Sequence, residues 1–443
     1  MRITNKGSWA LVLSGSLGSV CTLAVADEPG GFVEDSSLKL LARNMAQQDD
    51  RHEPGVRDSK EWGQGLMGFF ESGFTRGQVG FGVDAQAFQA IKLDGGGGTA
   101  GTGILPISEP DKNGYDYGKA PGDFSSAGAA VKMRLFDTLV KYGDQLLDNP
   151  VIGGDQRILP QTFRGISVTN EAIDGLSLDA GRVSFNRPYN QSGKRRLDTN
   201  YGEMPDGEQS RYLSWGGVNY APAEGLTTSL YAGNLRDVWR QYYAAVDYQL
   251  ALGEETSLAS GVHYYNTRDR GDALLGEIGT NAYSASLGLT HARHTLTLVY
   301  QRVNGDTPFD YINGGGSIYL ANSQQYSDFA GPHERSWKLQ YDYDLSDYLD
   351  GLTAMASYSR GKLDMTRADA DSPGYADWYN PDGKDASHWE RDIALNYSVP
   401  SGTFKDLSVA LEWAAHRTAN GYSAVDDSVD EYRLTLEYPY DLL

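Results

Sequence analysis

Apolar and polar residues alternate with a period of two along much of the chain. In residues 283–290 every second side chain is apolar, and the alternation resumes in residues 295–301 after a short polar segment. A period of two places successive side chains on opposite faces of an extended strand. The pattern therefore predicts an antiparallel hairpin with one apolar and one polar face. Further hairpins of the same kind cover residues 246–264, 337–358 and 393–413, and residues 432–438 alternate as a last single strand.

Alternation alone fits two kinds of all-β protein. A soluble sandwich buries its apolar rows, whereas a membrane barrel turns them outward to lipid. Tyr or Trp stands near the ends of many apolar rows here, as in the aromatic girdles of a membrane barrel. The opposite rows carry Lys, Asp, Gln, Ser and Thr, which form a dry core only when they are extensively paired.

The connections between the predicted strands favour the barrel. Some are tight turns, and others are long and rich in Gly, Asp and Asn. The long ones are residues 94–127, 144–170, 186–210, 304–333 and 362–388. Long structureless loops are uncommon in compact soluble domains. Short periplasmic turns at one rim and long extracellular loops at the other are typical of outer-membrane barrels.

Length and composition set the size of this barrel and exclude other classes. The chain has 443 residues with 38 Lys and Arg against 59 Asp and Glu, and its formal charge of -21 argues against binding to nucleic acid. No run approaches the roughly 18–20 apolar residues of a spanning helix, so an inner-membrane helical bundle is excluded. At roughly 23 residues per strand, residues 27–443 give about 18 strands in a transmembrane antiparallel β-barrel, which leaves an aqueous lumen.

The first 26 residues have the features of a secretory signal peptide. Arg2 and Lys6 precede a diluted apolar stretch that ends in Ala24-Val25-Ala26, an A-x-A cleavage pattern. We therefore expect export to the outer membrane and a barrel formed by residues 27–443. Cys21 is the only cysteine and lies in this segment, so the exported chain has no disulfide, thiol catalysis or Cys-ligated metal.

Several segments resemble the OprD-type outer-membrane carboxylate channels, also called the Occ family of specific porins. They occur in the family's order and include residues 32–38 (FVEDSSL), 79–85 (VGFGVDA), 159–165 (LPQTFRG), 305–312 (GDTPFDYI) and 325–329 (QYSDF). The resemblance implies an 18-stranded barrel, monomeric or a loose homotrimer, that passes small carboxylate-bearing nutrients such as amino acids or aromatic acids. It also implies that the loop at about 144–170 folds inward and constricts the pore.

The same resemblance implies a ladder of basic side chains that guides the substrate carboxylate. Alternation with Val131, Met133 and Leu135 turns Lys132 and Arg134 toward the lumen, and the same logic applies to Lys338 and Arg433. Guanidinium groups suit this task because they stay charged and present a fork to a carboxylate. The full set of expected path residues is Lys132, Arg134, Asp155, Arg157, Arg164, Arg182, Arg187, Lys338 and Arg433.

The chain departs from the family pattern on the first strand and on late strands. Asp49 stands where relatives often carry Arg, and Asn396, Ala410 and Glu412 occupy inward positions where some relatives carry Lys or Arg. The row of basic side chains is therefore shorter, and Glu412 places a negative charge within it. A narrower carboxylate preference, a zwitterionic substrate and a weakly selective general porin all remain open.

Other functional classes find little support in the residues. Seven His are scattered along the chain, and His291 and His294 flank a short turn without a third ligand, so we expect no metal site and no cofactor. An outer-membrane phospholipase or protease needs a Ser–His or Asp–His pair in a nucleophile context, and none is recognisable. We therefore expect a channel and not an enzyme, with outer-membrane lipid, lipopolysaccharide and carboxylate solutes as its partners. A soluble glycan-binding β protein would instead bury its apolar rows.

Overall fold

The structure is a computed structural model that describes residues 31–94, 99–106, 119–154, 157–205, 207–314 and 316–443. The predicted signal peptide at 1–26 and the predicted path residue Asp155 lie outside these residues. The described ranges contain no helix that is long and apolar enough to cross a bilayer. Three 3-10 turns occur in these ranges, at Met365–Arg367, Ala376–Trp378 and Tyr422–Ala424.

The described ranges form twenty strands. They are β1 (Ser37–Arg51), β2 (Ser59–Glu71), β3 (Val79–Asp94), β4 (Asp123–Leu135), β5 (Thr138–Gln145), β6 (Asp148–Asn149), β7 (Ile152–Gly153), β8 (Thr162–Ile173), β9 (Leu176–Arg187), β10 (Leu213–Ala223), β11 (Leu226–Leu235), β12 (Trp239–Ala251), β13 (Thr256–Asp269), β14 (Gly279–His291), β15 (His294–Asn304), β16 (Arg335–Asp344), β17 (Leu352–Leu363), β18 (Ala386–Ser398), β19 (Ser408–Ala419) and β20 (Val429–Asp441).

Eighteen of these strands close into one antiparallel barrel. Each barrel strand pairs with the next, and β20 pairs with β1 from Lys39 opposite Asp441 to Arg51 opposite Val429. Closure leaves no open sheet edge in the membrane. The two-residue strands β6 and β7 pair only with each other, in the connection between β5 and β8. The predicted 18-stranded barrel is therefore confirmed.

The apolar rows point out of the barrel, as the alternation predicts. Val262 and Leu298 are each 54% exposed, and Leu230 is 59% exposed. In the predicted hairpin, β14 and β15 join through a tight turn in which Ala292 adopts a φ of 51°. These rows form the lipid-facing band of a membrane barrel, and a soluble sandwich would have buried them.

Part of the barrel interior is nevertheless filled with apolar side chains. Trp239 on β12 and Tyr265 on β13 point inward and pack with residues of the loops, including Val151, Phe309 and Tyr375. The long loops therefore fold down inside the barrel and form a hydrophobic core against one side of its wall. This packing leaves only part of the cross-section for water.

Candidate functional site

The connection between β5 and β8 crosses the lumen. The expected loop at 144–170 is shorter than the sequence indicated, because β5 continues to Gln145 and β8 begins at Thr162. On one side the Asn149 side chain donates to Asp179 of β9 over 2.8 Å, and Tyr265 of β13 donates to the carbonyl oxygen of Pro150 over 3.1 Å. These contacts fix Asn149 and Pro150 against the wall, in the connection of residues 146–161 that we call the constriction loop.

The other end of the constriction loop lies against β1 and β2. The guanidinium of Arg43 on β1 donates to the carbonyl oxygen of Arg157. A Cβ atom on Gly65 of β2 would lie 2.5 Å from the carbonyl oxygen of Ile158, which is closer than real Cβ contacts allow. Glycine at position 65 therefore permits the loop to approach the wall. The constriction loop thus spans the barrel from β9 and β13 to β1 and β2.

A second loop also enters the lumen, between β15 and β16. We call residues 305–334 the inner loop. Gln301 of β15 donates to the carbonyl oxygen of Phe329 over 2.9 Å, and Gln325 donates to Glu431 of β20 over 2.9 Å. Glu390 of β18 accepts hydrogen bonds from the backbone N–H groups of residues 326 and 327. The sequence analysis predicted this loop but did not place it inside the barrel.

The two loops touch where both carry glycine. A Cβ on Gly153 of the constriction loop would lie 2.2 Å from the carbonyl oxygen of Gly316 in the inner loop. Gln161 donates to the carbonyl oxygen of Asn313 over 3.0 Å next to this crossing. The constriction is therefore a joint product of both loops.

A buried chain of hydrogen bonds anchors the end of the inner loop. His388 lies between Glu334, at 2.6 Å, and His416, at 2.9 Å, and His416 contacts the carbonyl oxygen of Asp427 at 2.7 Å. A carbonyl oxygen only accepts, so His416 donates to Asp427. The anchor therefore links the end of the inner loop to β18, β19 and the connection between β19 and β20.

Asp310 connects three loops at the extracellular end of the barrel. Its carboxyl group accepts from the backbone N–H groups of residues 200, 201, 202 and 311, and from the Tyr375 hydroxyl over 2.9 Å. Burial raises the pKa of Asp310, and these donors oppose the shift. The loops around the pore are thus fixed to one another and to the wall.

A polar cavity of about 160 Å³ lies inside the barrel beside the constriction loop. It lies between strands β1 and β20, the β3–β4 loop, the constriction loop and the inner loop. Its lining residues are Gln47, Asp49, Arg51, Gly101, Thr102, Arg157, Gln325, Tyr326, Glu431 and Arg433. We call this cavity the eyelet. Two of the predicted path residues, Arg157 and Arg433, line it.

Charges of both signs line the eyelet. Arg433 lies 2.7 Å from Glu431, whose other oxygen accepts from Gln47 over 3.0 Å. Arg157 donates to the carbonyl oxygen of Thr102 over 2.7 Å and lies over the ring of Tyr189. Asp49 is buried beside them. The eyelet can therefore contact the carboxylate and the donor groups of a solute at once.

Lys132 and Arg134 lie nearer the periplasmic end of β4. The Lys132 ammonium pairs with Asp84 at 2.6 Å, and Arg134 lies 4.5 Å from the centre of the Phe74 ring. Lys141 of β5 pairs with the other oxygen of Asp84 at 2.8 Å. Two cations thus share one carboxylate at this end of the wall, which leaves a local excess of positive charge.

Arg164 and Arg187 surround Asp144 near the extracellular end of β5, β8 and β9. Arg164 is 3.7 Å from Asp144 and its side chain is 54% exposed, while Lys194 pairs with the same carboxylate at 2.8 Å. Arg187 is buried and donates to the carbonyl oxygen of Ala127 over 3.0 Å. These residues form a basic cluster apart from the residues that line the eyelet.

The remaining two predicted residues differ in their orientation. Lys338 is buried on the inner face of β16, where Asp342, Glu390 and Asp392 are its charged neighbours. Arg182 pairs across strands with Ile166, an exposed outward residue, and shares its face of β9 with the outward Leu178. The expectation that Arg182 lines the path is therefore wrong, because the period of two places it on the lipid side.

The sequence analysis missed three charged residues near the constriction. Arg51 and Glu431 line the eyelet, and Arg43 joins β1 to the constriction loop and pairs with Glu437. Alternation with the outward Leu40 would have identified Arg43 and Arg51 as inward residues. Within the described ranges, no group of three or more His, Cys, Asp or Glu is placed to hold a metal ion. The arrangement positions hydrogen-bond donors and acceptors around a polar cavity inside the barrel.

Comparisons with known proteins agree with this geometry. The model of the OprD family of outer membrane porins matches residues 30–442. Porin D of Pseudomonas aeruginosa is 39% identical over 98% of this chain and 98% of its own. The crystal structure of OccK9 (OpdG) from P. aeruginosa has a TM-score of 0.82 at 32% identity and covers 93% of this chain and 100% of its own.

A second solved structure, P. aeruginosa OpdK with vanillate, has a TM-score of 0.80 at 29% identity and covers 93% of this chain and 100% of its own. These relatives are porins, which are channels rather than enzymes, so they support the predicted channel over the outer-membrane enzyme. Matches of this extent, together with the closed barrel and its inward loops, show that the chain belongs to the OprD family of outer membrane porins.

Proposed function

We propose that the eyelet selects small solutes that carry a carboxylate, such as amino acids or aromatic and organic acids. The guanidinium of Arg433 carries this proposal, because it faces the cavity and is 18% exposed beside a nearly buried Glu431. A solute carboxylate can accept from the guanidinium while Gln47 and Gln325 remain bonded to Glu431. OpdK, whose structure contains the aromatic carboxylate vanillate, supports this class of solute.

The basic residues outside the eyelet would act as weak sites on either side of it. Arg164, Arg187 and Lys194 lie near the extracellular end, and Lys132 and Arg134 lie near the periplasmic end. Several weak sites let an anion enter and still leave, which passive conduction requires. The acidic residues of the eyelet, Asp49 and Glu431, would disfavour dianions and favour solutes that also carry a donor group.

The test is Arg433→Gln, measured by liposome uptake of benzoate and of a neutral pentose. A screened interaction of about 1 kcal/mol corresponds to a roughly fivefold lower uptake of benzoate with little change for the sugar. The matched control is Arg182→Gln, which removes the same charge from the outer face. Equal losses for both solutes, or the same loss in the control, would contradict the orienting role of Arg433.

A further inference from the structure

A row of cations lies on the outer face of the barrel close to its extracellular rim. Arg302 of β15 stands directly opposite Arg335 of β16, which stands directly opposite Lys362 of β17. Neighbouring strands are about 4.8 Å apart, and like charges directly opposite each other are destabilising. Repulsion between the three cations therefore destabilises the row unless an anion binds close to it.

Carboxylates of the described residues do not supply this anion. Across the described ranges, Arg302, Arg335, Arg360, Lys362 and Arg391 have no carboxylate within 4 Å. Arg417 is the neighbour that has one, and it pairs with Asp430 at 2.8 Å. The cluster thus concentrates positive charge on a protein whose overall charge is strongly negative.

The position of the cluster identifies the level of the membrane that it faces. On the outer face of β15, Leu298, Tyr300 and Arg302 follow one another toward the extracellular rim. Leu298 is 54% exposed and Tyr300 is 42% exposed. The outer face of β16 has the same order, with Leu339, Trp337 and Arg335. Apolar residues mark the hydrocarbon, and aromatic residues mark its interface. Arg302 and Arg335 therefore lie at the level of the outer-leaflet head groups.

Aromatic residues continue between the cations in the next row. Trp337, Arg360, Trp389 and Arg417 are consecutive cross-strand neighbours on β16 to β19. The guanidinium of Arg391 lies 4.6 Å from the centre of the Trp389 ring. A ring contact of this kind holds a long cationic side chain against the surface. The surface can thus contact acyl chains with its aromatic faces and anions with its guanidinium groups.

We propose that this surface, formed by Arg302, Arg335, Arg360, Lys362 and Arg391 with Trp337 and Trp389, binds the phosphorylated lipid A part of lipopolysaccharide. Arginine forks match phosphate oxygens in pairs, and a row of three cations matches a ligand with more than one phosphate. The acyl chains of the same molecule would lie on the apolar and aromatic residues below. This binding is separate from solute passage, because every one of these side chains is on the outer face.

The experiment uses the full barrel purified in detergent, with a chelator present so that divalent cations do not bridge acidic groups. Bisphosphorylated lipid A is titrated into the unaltered protein and into Arg335→Gln/Lys362→Gln. We expect the Kd of the variant to rise at least tenfold. Lys39→Gln/Lys405→Gln removes two exposed charges at the periplasmic end and should leave the Kd unchanged.

Two further arms separate lipid A from other sources of phosphate. Phosphate-free lipid A and phosphatidylglycerol should each bind at least tenfold more weakly than bisphosphorylated lipid A. Without lipid, the variant should melt at the same or a higher temperature, because it loses the repulsion within the row. A second variant, Arg360→Gln/Arg391→Gln, repeats the test if the first one folds poorly. Equal binding by a folded variant and the unaltered protein, or by phosphatidylglycerol and lipid A, would overturn the proposal.

Discussion

The side chain of Asn149 is expected to hold the constriction loop in place. It is buried, its Oδ1 atom accepts from the backbone N–H groups of residues 151 and 152, and its Nδ2 atom donates to Asp179. Asn149→Ala removes all three hydrogen bonds. The two N–H groups belong to Val151 and Ile152, which are almost fully buried, so water cannot replace the lost acceptor.

The magnitude follows from these contacts. Each buried donor left without a partner costs about 1–3 kcal/mol, and partial relaxation lowers the sum to about 2–4 kcal/mol. A cost of that size raises the population of the undocked loop by about 30- to 700-fold. An undocked loop widens the lumen, so we expect brief steps of higher current that the unaltered channel shows far more rarely.

Single-channel recording in a planar bilayer measures this directly. The control is Asn219→Ala, which also removes an amide with two hydrogen bonds, to Ser229 and Tyr231, but does not contact the constriction loop. The control should melt at a lower temperature without additional current steps. If Asn149→Ala and Asn219→Ala give the same current traces, the docking role of Asn149 is refuted.

Two further predictions concern the loops. Gly153→Val should separate the constriction and inner loops, because its Cβ would meet the carbonyl oxygen of Gly316. Limited proteolysis should then cut the chain within residues 146–161. The control variant Gly193→Val, whose Cβ would lie in open space, should remain resistant to the protease. Asp426 lies in the connection between β19 and β20, and burial raises the pKa of its carboxyl group to about 6. The carboxyl group therefore binds its proton more tightly when this connection is packed than when it is unfolded. Packing of residues 420–428 should therefore be strongest below about pH 4 and weaken as the pH rises through 6. Hydrogen exchange should show greater protection of these residues at pH 4 than at pH 7.5, and Asp426→Asn should remove this difference.

The barrel could be predicted from the sequence because its determinants are local. The alternation around Leu298 needs only the period of a strand and the preference of lipid for apolar side chains. The same rule placed Lys132 on the inner face correctly. It also explains the error at Arg182, where Leu178 and Ala180 on the same face already indicated an outward direction.

The constriction could not be derived in the same way because its contacts join distant residues. Asn149 meets Asp179, and Gln325 meets Glu431, which is 106 positions away. Loop composition gives no periodic signal from which such pairs can be identified. Sequence therefore indicated a narrowed pore and two of its basic residues, Arg157 and Arg433. The contribution of the inner loop to the constriction could be identified only from the structure.

The hydrophobic core inside the barrel has a consequence for assembly. Arg43, Gly65, Asp179 and Tyr265, which receive the constriction loop, belong to β1, β2, β9 and β13, and they lie far apart along the chain. The loop has no complete docking surface until those strands have joined into a cylinder. We therefore expect a newly closed barrel to pass through a wide-bore stage, with selectivity acquired afterwards as the last event of its biogenesis.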